Sequence, residues 1–172
     1  MPNTLIFLHG MESSPMGTKA RFIKGHYHNC LIPELPPDIH LRMSIIKELI
    51  VKPVRIVGSS LGGLSALMLA MSDPDLVEGM ILIAPAVGFY DHTVFNETDK
   101  TIIRKTYIPE NIPCTVMIGQ RDDVIPQADI EAMVERSPSQ DLIQTVYRDD
   151  DHAQNNSLDF LLTEIDTMMS RI

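Results

Sequence analysis

Gly58-Ser59-Ser60-Leu61-Gly62 is the segment of this chain best suited to covalent chemistry. It fits G-x-S-x-G, follows an apolar run at Val54–Val57 and opens a segment, Leu61 to Met71, that is apolar almost all round. A five-residue pattern of this kind recurs by chance in Gly/Ser-rich loops. The strand–turn–helix setting is what makes the match informative. A serine at the apex of so tight a turn is held in strained backbone, and residues two away must lack side chains to avoid collision. Its hydroxyl is then exposed at the head of a helix, where negative charge is favoured. The chemistry this arrangement suits is nucleophilic attack by Ser60.

A hydroxyl is a weak nucleophile until a base takes its proton. The chain has 6 histidines. His9 ends the first apolar run, His26, His28 and His40 lie in the first third, and His92 falls in an irregular stretch. Only His152 follows the last strand-like run and precedes the last helix-like one. An acid must fix the imidazole's tautomer and stabilise the imidazolium. Gly119–Pro126 offers Asp122 and Asp123 just after the fifth apolar run. Asp149, Asp150 and Asp151 immediately precede His152, where they would favour the imidazolium or compete with Asp122 as its partner. A developing oxyanion needs two backbone N–H donors. Leu61, next to the nucleophile, supplies one. Met11, in the loop His9-Gly10-Met11, supplies the other, with Gly10 letting the backbone approach a substrate. The His9 side chain is read as structural, holding that loop by hydrogen bonds.

These residues need elements to position them. Short apolar runs begin at Thr4, Asn29, Val54, Met80, Cys114 and Leu142, with starts 25 to 34 residues apart. The first, fourth and fifth are nearly continuous in apolar residues, as strands buried on both faces read, and the last alternates like an edge strand. Helix-like segments lie between. Asp38–Val51 places Leu41, Ile45, Leu49 and Ile50 on one stripe. Pro126 suits the first position of a helix carrying Ile130, Met133 and Val134. The final helix is capped by Asn156 or Ser157, with Leu158, Leu161, Leu162, Ile165, Met168 and Met169 inside. Repeated βαβ units of this length predict a three-layer α/β/α sandwich with a mostly parallel sheet of about six strands, in a single domain over 1–172. The irregular stretch 87–113 reads as a short lid, with Phe89, Tyr90, Phe95 and Tyr107 roofing an apolar pocket.

The composition fits this class. Apolar residues are 44% and charged residues 22% of 172. With 14 Lys plus Arg against 23 Asp plus Glu the net charge is −9, which argues against nucleic acid or an anionic membrane surface as main partner. Cys30 and Cys114 have no partner at metal-ligand or disulfide-framework spacing and read as buried thiols. No metal and no cofactor is expected. The first residues carry no basic region and no apolar run approaches the roughly 18 residues that span a bilayer, so the expected compartment is cytoplasmic.

The whole length resembles the α/β-hydrolase superfamily, whose triad runs in the order of Ser60, Asp122 and His152. Phe7-Leu-His-Gly-Met-Glu-Ser-Ser-Pro15 followed by Lys19-Ala20, Gly58–Gly63 and the acidic run into His152 are similar to the small bacterial YqiA-like esterases. Gly119…Asp122…Ile125-Pro126 matches the superfamily's G-x-x-D-x-x-V-P with Ile for Val, and this resemblance is what selects Asp122 over Asp123. Departures are a sheet that starts at the strand normally third, and no glycine before His152. The resemblance implies cofactor-free hydrolysis of carboxylic esters or thioesters. The alternative on the same fold is a non-catalytic binding or regulatory protein, because fold alone does not prove activity.

Overall fold

The computed structural model describes residues 4–88 and 93–171. Its elements run β1 (Thr4–Leu8), α1 (Thr18–His26), α2 (Ile39–Leu49), β2 (Val54–Ser59), α3 (Leu61–Ser72), β3 (Val77–Ile83), α4 (Glu97–Arg104), β4 (Cys114–Gly119), α5 (Gln127–Glu135), β5 (Ile143–Arg148) and α6 (Leu158–Ser170). The five strands form one parallel sheet in the order β1-β2-β3-β4-β5. A monotonic order with right-handed crossovers sends successive crossover helices to the same face. Accordingly Ile6, Leu8, Ile56, Leu82 and Val116 pack with α2, α3 and α5. The alternate residues Leu5, Phe7, Val57, Ile81 and Met117 pack with α1 and α6 on the other face. The three-layer α/β/α architecture expected from the sequence is present.

The sheet has one strand fewer than the six apolar runs suggest. The run at Asn29–Pro33 contributes only a bridge from Leu31 to Ile6. Pro33, Pro36 and Pro37 follow, and residues without an N–H cannot extend a ladder. α3 is buried almost throughout, as its composition requires. α2 starts at Ile39 under a side-chain cap from Asp38, but its buried face differs from the expected stripe. Leu41 and Leu49 are exposed, and Ile39, Arg42, Met43 and Ile46 face inward. The helix is turned so that the Arg42 guanidinium meets the carbonyls of His9, Gly10 and Pro36. α1 has no counterpart in the sequence reading, because only Ala20 and Ile23 of its nine residues are buried.

The described part of 87–113 is packed into the domain. α4 is fixed by a capping box between Asn96 and Asp99 and by a 2.8 Å contact of Asp99 with His40 on α2. Phe95, Ile103, Ile108 and Ile112 belong to the core. Cys30 and Cys114 are free and buried, and burial pushes the Cys30 thiol up to about 12. Among the described residues no helix is long and apolar enough to cross a membrane.

Candidate active site

The site forms at the carboxyl end of the sheet, from the loops that leave β1 and β2, on one side of β3, and β4 and β5, on the other, the edge at which open α/β sheets place ligands. Leu8 pairs with Gly58 and Gly119 with Arg148, so the loops leaving these strands emerge together. Ser60 sits between β2 and α3 at φ 54° and ψ −115°. A non-glycine residue in such backbone is strained, and the surroundings must hold it there. Two glycines make that possible. A Cβ on Gly58 would lie 2.6 Å from the Gly62 carbonyl oxygen, and one on Gly62 would lie 1.8 Å from that of Leu8. The Ser60 N–H donates to the Ile83 carbonyl, and the Ser60 carbonyl accepts from Gly63, Leu64 and Ala86.

Ser60 Oγ lies 3.0 Å from His152 Nε2, and His152 Nδ1 lies 2.8 Å from Asp122 Oδ2. The structure thus brings together the three side chains singled out from the sequence. Asp122 is held by its own turn, accepting from the Val124 and Ile125 N–H groups at 2.8 and 2.9 Å. Burial pushes its carboxyl pKa up, but the hydrogen bonds from His152, Ile125 and Val124 outweigh that and hold it below the usual carboxylate value. Asp123 is exposed, and the carboxylate hydrogen-bonded to His152 is that of Asp122. The Ser60–His152–Asp122 line has the geometry for proton removal from the hydroxyl, with the imidazole oriented by a carboxylate.

The carboxylates before His152 are each engaged elsewhere. Asp149 pairs with Arg121 at 2.8 Å. Asp150 is fully buried and accepts from Ser157 Oγ, Asn156 Nδ2 and the Asp151 N–H. Asp151 accepts from the N–H groups of Ala153 and Gln154. The run therefore shapes the histidine loop, and Asp122 is the carboxylate that meets the imidazole. Gly119 lets that loop close on β4, because a Cβ there would lie 2.7 Å from the Asp151 carbonyl oxygen.

A cavity of about 520 Å³ opens onto Ser60 and His152. Its lining includes the apolar Phe7, Met11, Leu61, Ala86 and Val124 and the polar Glu12, Ser13, Thr18, Lys19 and Asn155. Gly10 lines it beside Ser60, where an added Cβ would touch Ser60 Cβ at 3.4 Å. Ser59 lines it too, so what distinguishes the adjacent serines is the hydrogen bond of Ser60 to His152. Phe95 and Tyr107 do not line it: Phe95 is spent on the core and Tyr107 is only half-buried. Phe89 and Tyr90 lie outside the described residues. Met11 and Leu61 both border the cavity, as donors to an oxyanion must.

Two residues near the site were not anticipated from the sequence. Lys19 on α1 donates to the Ala153 carbonyl and ties α1 to the histidine loop. Arg42 is wholly buried beneath the His9–Gly10 backbone. Isolated cations carry no periodic signal, and only their neighbours in space reveal them. Among the described residues no group of three or more His, Cys, Asp or Glu could hold a metal ion.

A parallel α/β sheet with a tight serine turn after one inner strand and a histidine after the edge strand is the arrangement of the α/β-hydrolase fold, and this chain has that fold. Residues 4–167 match the model of an uncharacterised protein family, UPF0227, and the chain belongs to that family. It is similar to the palmitoyl-protein thioesterase ABHD10, mitochondrial, of Bos taurus, at 22% identity over 98% of this chain and 73% of that protein. Among solved structures, a putative hydrolase from Agrobacterium vitis S4 superposes with a TM-score of 0.77 at 20% identity, covering 98% of this chain and 88% of that one. The α/β-hydrolase domain-containing protein 10 from mouse superposes with a TM-score of 0.78 at 19% identity, covering 96% and 89%. Est1E from Butyrivibrio proteoclasticus, with ferulic acid bound, superposes at 0.74 with 14% identity, covering 97% and 88%.

Proposed function

We propose that this chain is a serine hydrolase that cleaves carboxylic esters or thioesters through an acyl-enzyme on Ser60. The observation that carries the reading is the unbroken hydrogen-bonded line Ser60 Oγ–His152 Nε2–His152 Nδ1–Asp122 at 3.0 and 2.8 Å, opening onto a cavity. His152 Nε2 takes the Ser60 proton as Oγ attacks the acyl carbon. The negative charge moves to the former carbonyl oxygen, where the N–H groups of Met11 and Leu61 receive it. Asp122 stabilises the imidazolium, which then protonates the departing alkoxide or thiolate. A water, deprotonated by His152, attacks the acyl carbon and releases the acid and Ser60.

The likeness to a palmitoyl-protein thioesterase supports inclusion of thioesters. The apolar residues of the lining suit an acyl chain and the polar ones a leaving group. A cavity of about 520 Å³ favours short and medium acyl chains over triglycerides or folded proteins. The test is a matched panel of acetyl, butyryl, octanoyl and palmitoyl esters and thioesters. Turnover should be highest for a short or medium chain and should vanish in Ser60→Ala. A folded protein that cleaves no member of the panel, or one that digests casein instead, would contradict the proposal.

A further inference from the structure

Arg42 has no role in the reaction as described, yet its placement is costly. It is wholly buried, and no carboxylate pairs with it among the described residues. Burial lowers its pKa to about 10, which leaves it charged at neutral pH. A buried cation must be repaid by hydrogen bonds. Here three of the five fall on one stretch of backbone, and Nη1 also reaches Ser65 Oγ at 3.5 Å. Nη1 and Nη2 each donate to the His9 carbonyl at 2.9 Å, and Nη2 also to the Gly10 carbonyl at 3.2 Å. Nε donates to the Pro36 carbonyl at 2.6 Å.

The His9 side chain adds a second hold. Its Nε2 is 3.1 Å from the Leu35 N–H and so accepts, which leaves the proton on Nδ1. Nδ1 therefore donates to the Gly10 carbonyl, at 2.8 Å. The Gly10 oxygen is thus drawn toward Arg42 and His9, both buried. In a planar trans peptide the N–H points opposite to the C=O. The Met11 N–H is thereby turned away from Arg42, and Gly10 and Met11 line the cavity together with Ser60. Flipping this peptide would aim a carbonyl oxygen at the developing oxyanion. A cation hydrogen-bonded to the carbonyl end also polarises the peptide and strengthens its N–H as a donor.

We infer that Arg42 is a positioning residue for ester cleavage: it locks the Gly10–Met11 peptide so that the Met11 N–H faces the oxyanion, with His9 as its second clamp. The inference rests on the acyl-transfer reading above. Its test compares wild type with Arg42→Met, Arg42→Lys and His9→Phe on a butyryl ester. Active sites are counted by fluorophosphonate titration, and affinity is measured for a butyl trifluoromethyl ketone, whose serine adduct carries an oxyanion. Arg42→Met should lower kcat per titrated site roughly a hundred-fold, the usual cost of losing one oxyanion donor. KM should change little, and ketone affinity should fall in parallel with kcat/KM. Arg42→Lys and His9→Phe should fall between this variant and wild type.

Unchanged kcat per titrated site, with only fewer folded molecules, would overturn the inference and leave Arg42 a structural residue. If neither Arg42 variant folds, wild type labelled with 15N-arginine decides. The Arg42 side-chain signals should shift when the ketone adduct forms, and signals that stay fixed would overturn the inference. A wild type that neither titrates nor turns over would reject the acyl-transfer reading itself, and this inference with it.

Discussion

Gly62 lies against the end of β1 so closely that a Cβ on it would sit 1.8 Å from the Leu8 carbonyl oxygen. That contact fixes the serine turn relative to the loop that leaves β1, which carries Gly10 and Met11. Spacing between Ser60 and the Gly10–Met11 peptide is therefore set by backbone packing on backbone.

Gly62→Ala should destabilise the fold by about 3 kcal/mol or more, since neither backbone can yield cheaply. Gly25→Ala is the opposite case. Gly25 lies within α1 with nothing within 4 Å of its added Cβ, so alanine there should stabilise by about 0.5–1 kcal/mol. Urea unfolding of both variants checks the contrast. Equal effects would mean the Leu8–Gly62 contact is looser than described.

Strain at Ser60 gives a second expectation. Both Ser60→Ala and Ser60→Gly lose the hydroxyl, but only glycine is at ease at φ 54°. Relief of roughly 1–3 kcal/mol of strain, less about 0.5–1 kcal/mol of added unfolded-chain entropy, should leave Ser60→Gly about 1 kcal/mol more stable than Ser60→Ala. Equal melting temperatures would show that the turn is unstrained.

Acidification should remove stability in two steps. Burial holds the His9 imidazole below its ordinary pKa, with the Arg42 charge adding to the effect. Its contribution is complete above the unfolded value of about 6.5 and is lost as pH falls from there through the folded value. For Asp150, burial pushes the carboxyl up, but donation from Ser157, Asp151 and Asn156 outweighs it and leaves the pKa lowered, as at Asp122. Their contribution is complete above about 3.9 and is lost as pH falls through the folded values. Urea unfolding at pH 8, 5.5 and 3.5 should give steadily lower stability, and Asp150→Asn should shrink the second step. Constant stability down to pH 3.5 would contradict these environments.

Turnover should survive exhaustive chelation, because in the proposed reaction Ser60, His152, Asp122 and two backbone N–H groups supply nucleophile, base, orienting acid and oxyanion donors from the chain itself. Loss with EDTA that a divalent ion restores would contradict this.

The parts of the site legible in sequence were those with a local signature. Gly58 and Gly62 mark the turn because no side chain fits there, and His152 is marked by its place after the edge strand. The acid needed the resemblance, since Asp122 and Asp123 differ only in which one the turn aims at His152. Asp149, Asp150 and Asp151 look equivalent in sequence, yet one meets Arg121, one is buried on Ser157 and one caps backbone. The inner face of α2 differs from the apolar stripe because Arg42 reads as a solvent residue, while its partners include the His9 and Gly10 carbonyls, more than 30 positions away. Phe95 reads as a lid residue because no periodicity surrounds it, and long-range packing places it in the core.

Labelling with a fluorophosphonate, which reacts only with an activated serine, tests the central claim most directly. Ser59 and Ser60 border the same cavity, and only Ser60 reaches His152. Wild type and Ser59→Ala should each take up one equivalent, mapped by mass spectrometry to Ser60, and Ser60→Ala and His152→Ala should take up none. Labelling that persists in folded Ser60→Ala, or a folded wild type that resists the probe, would contradict the account.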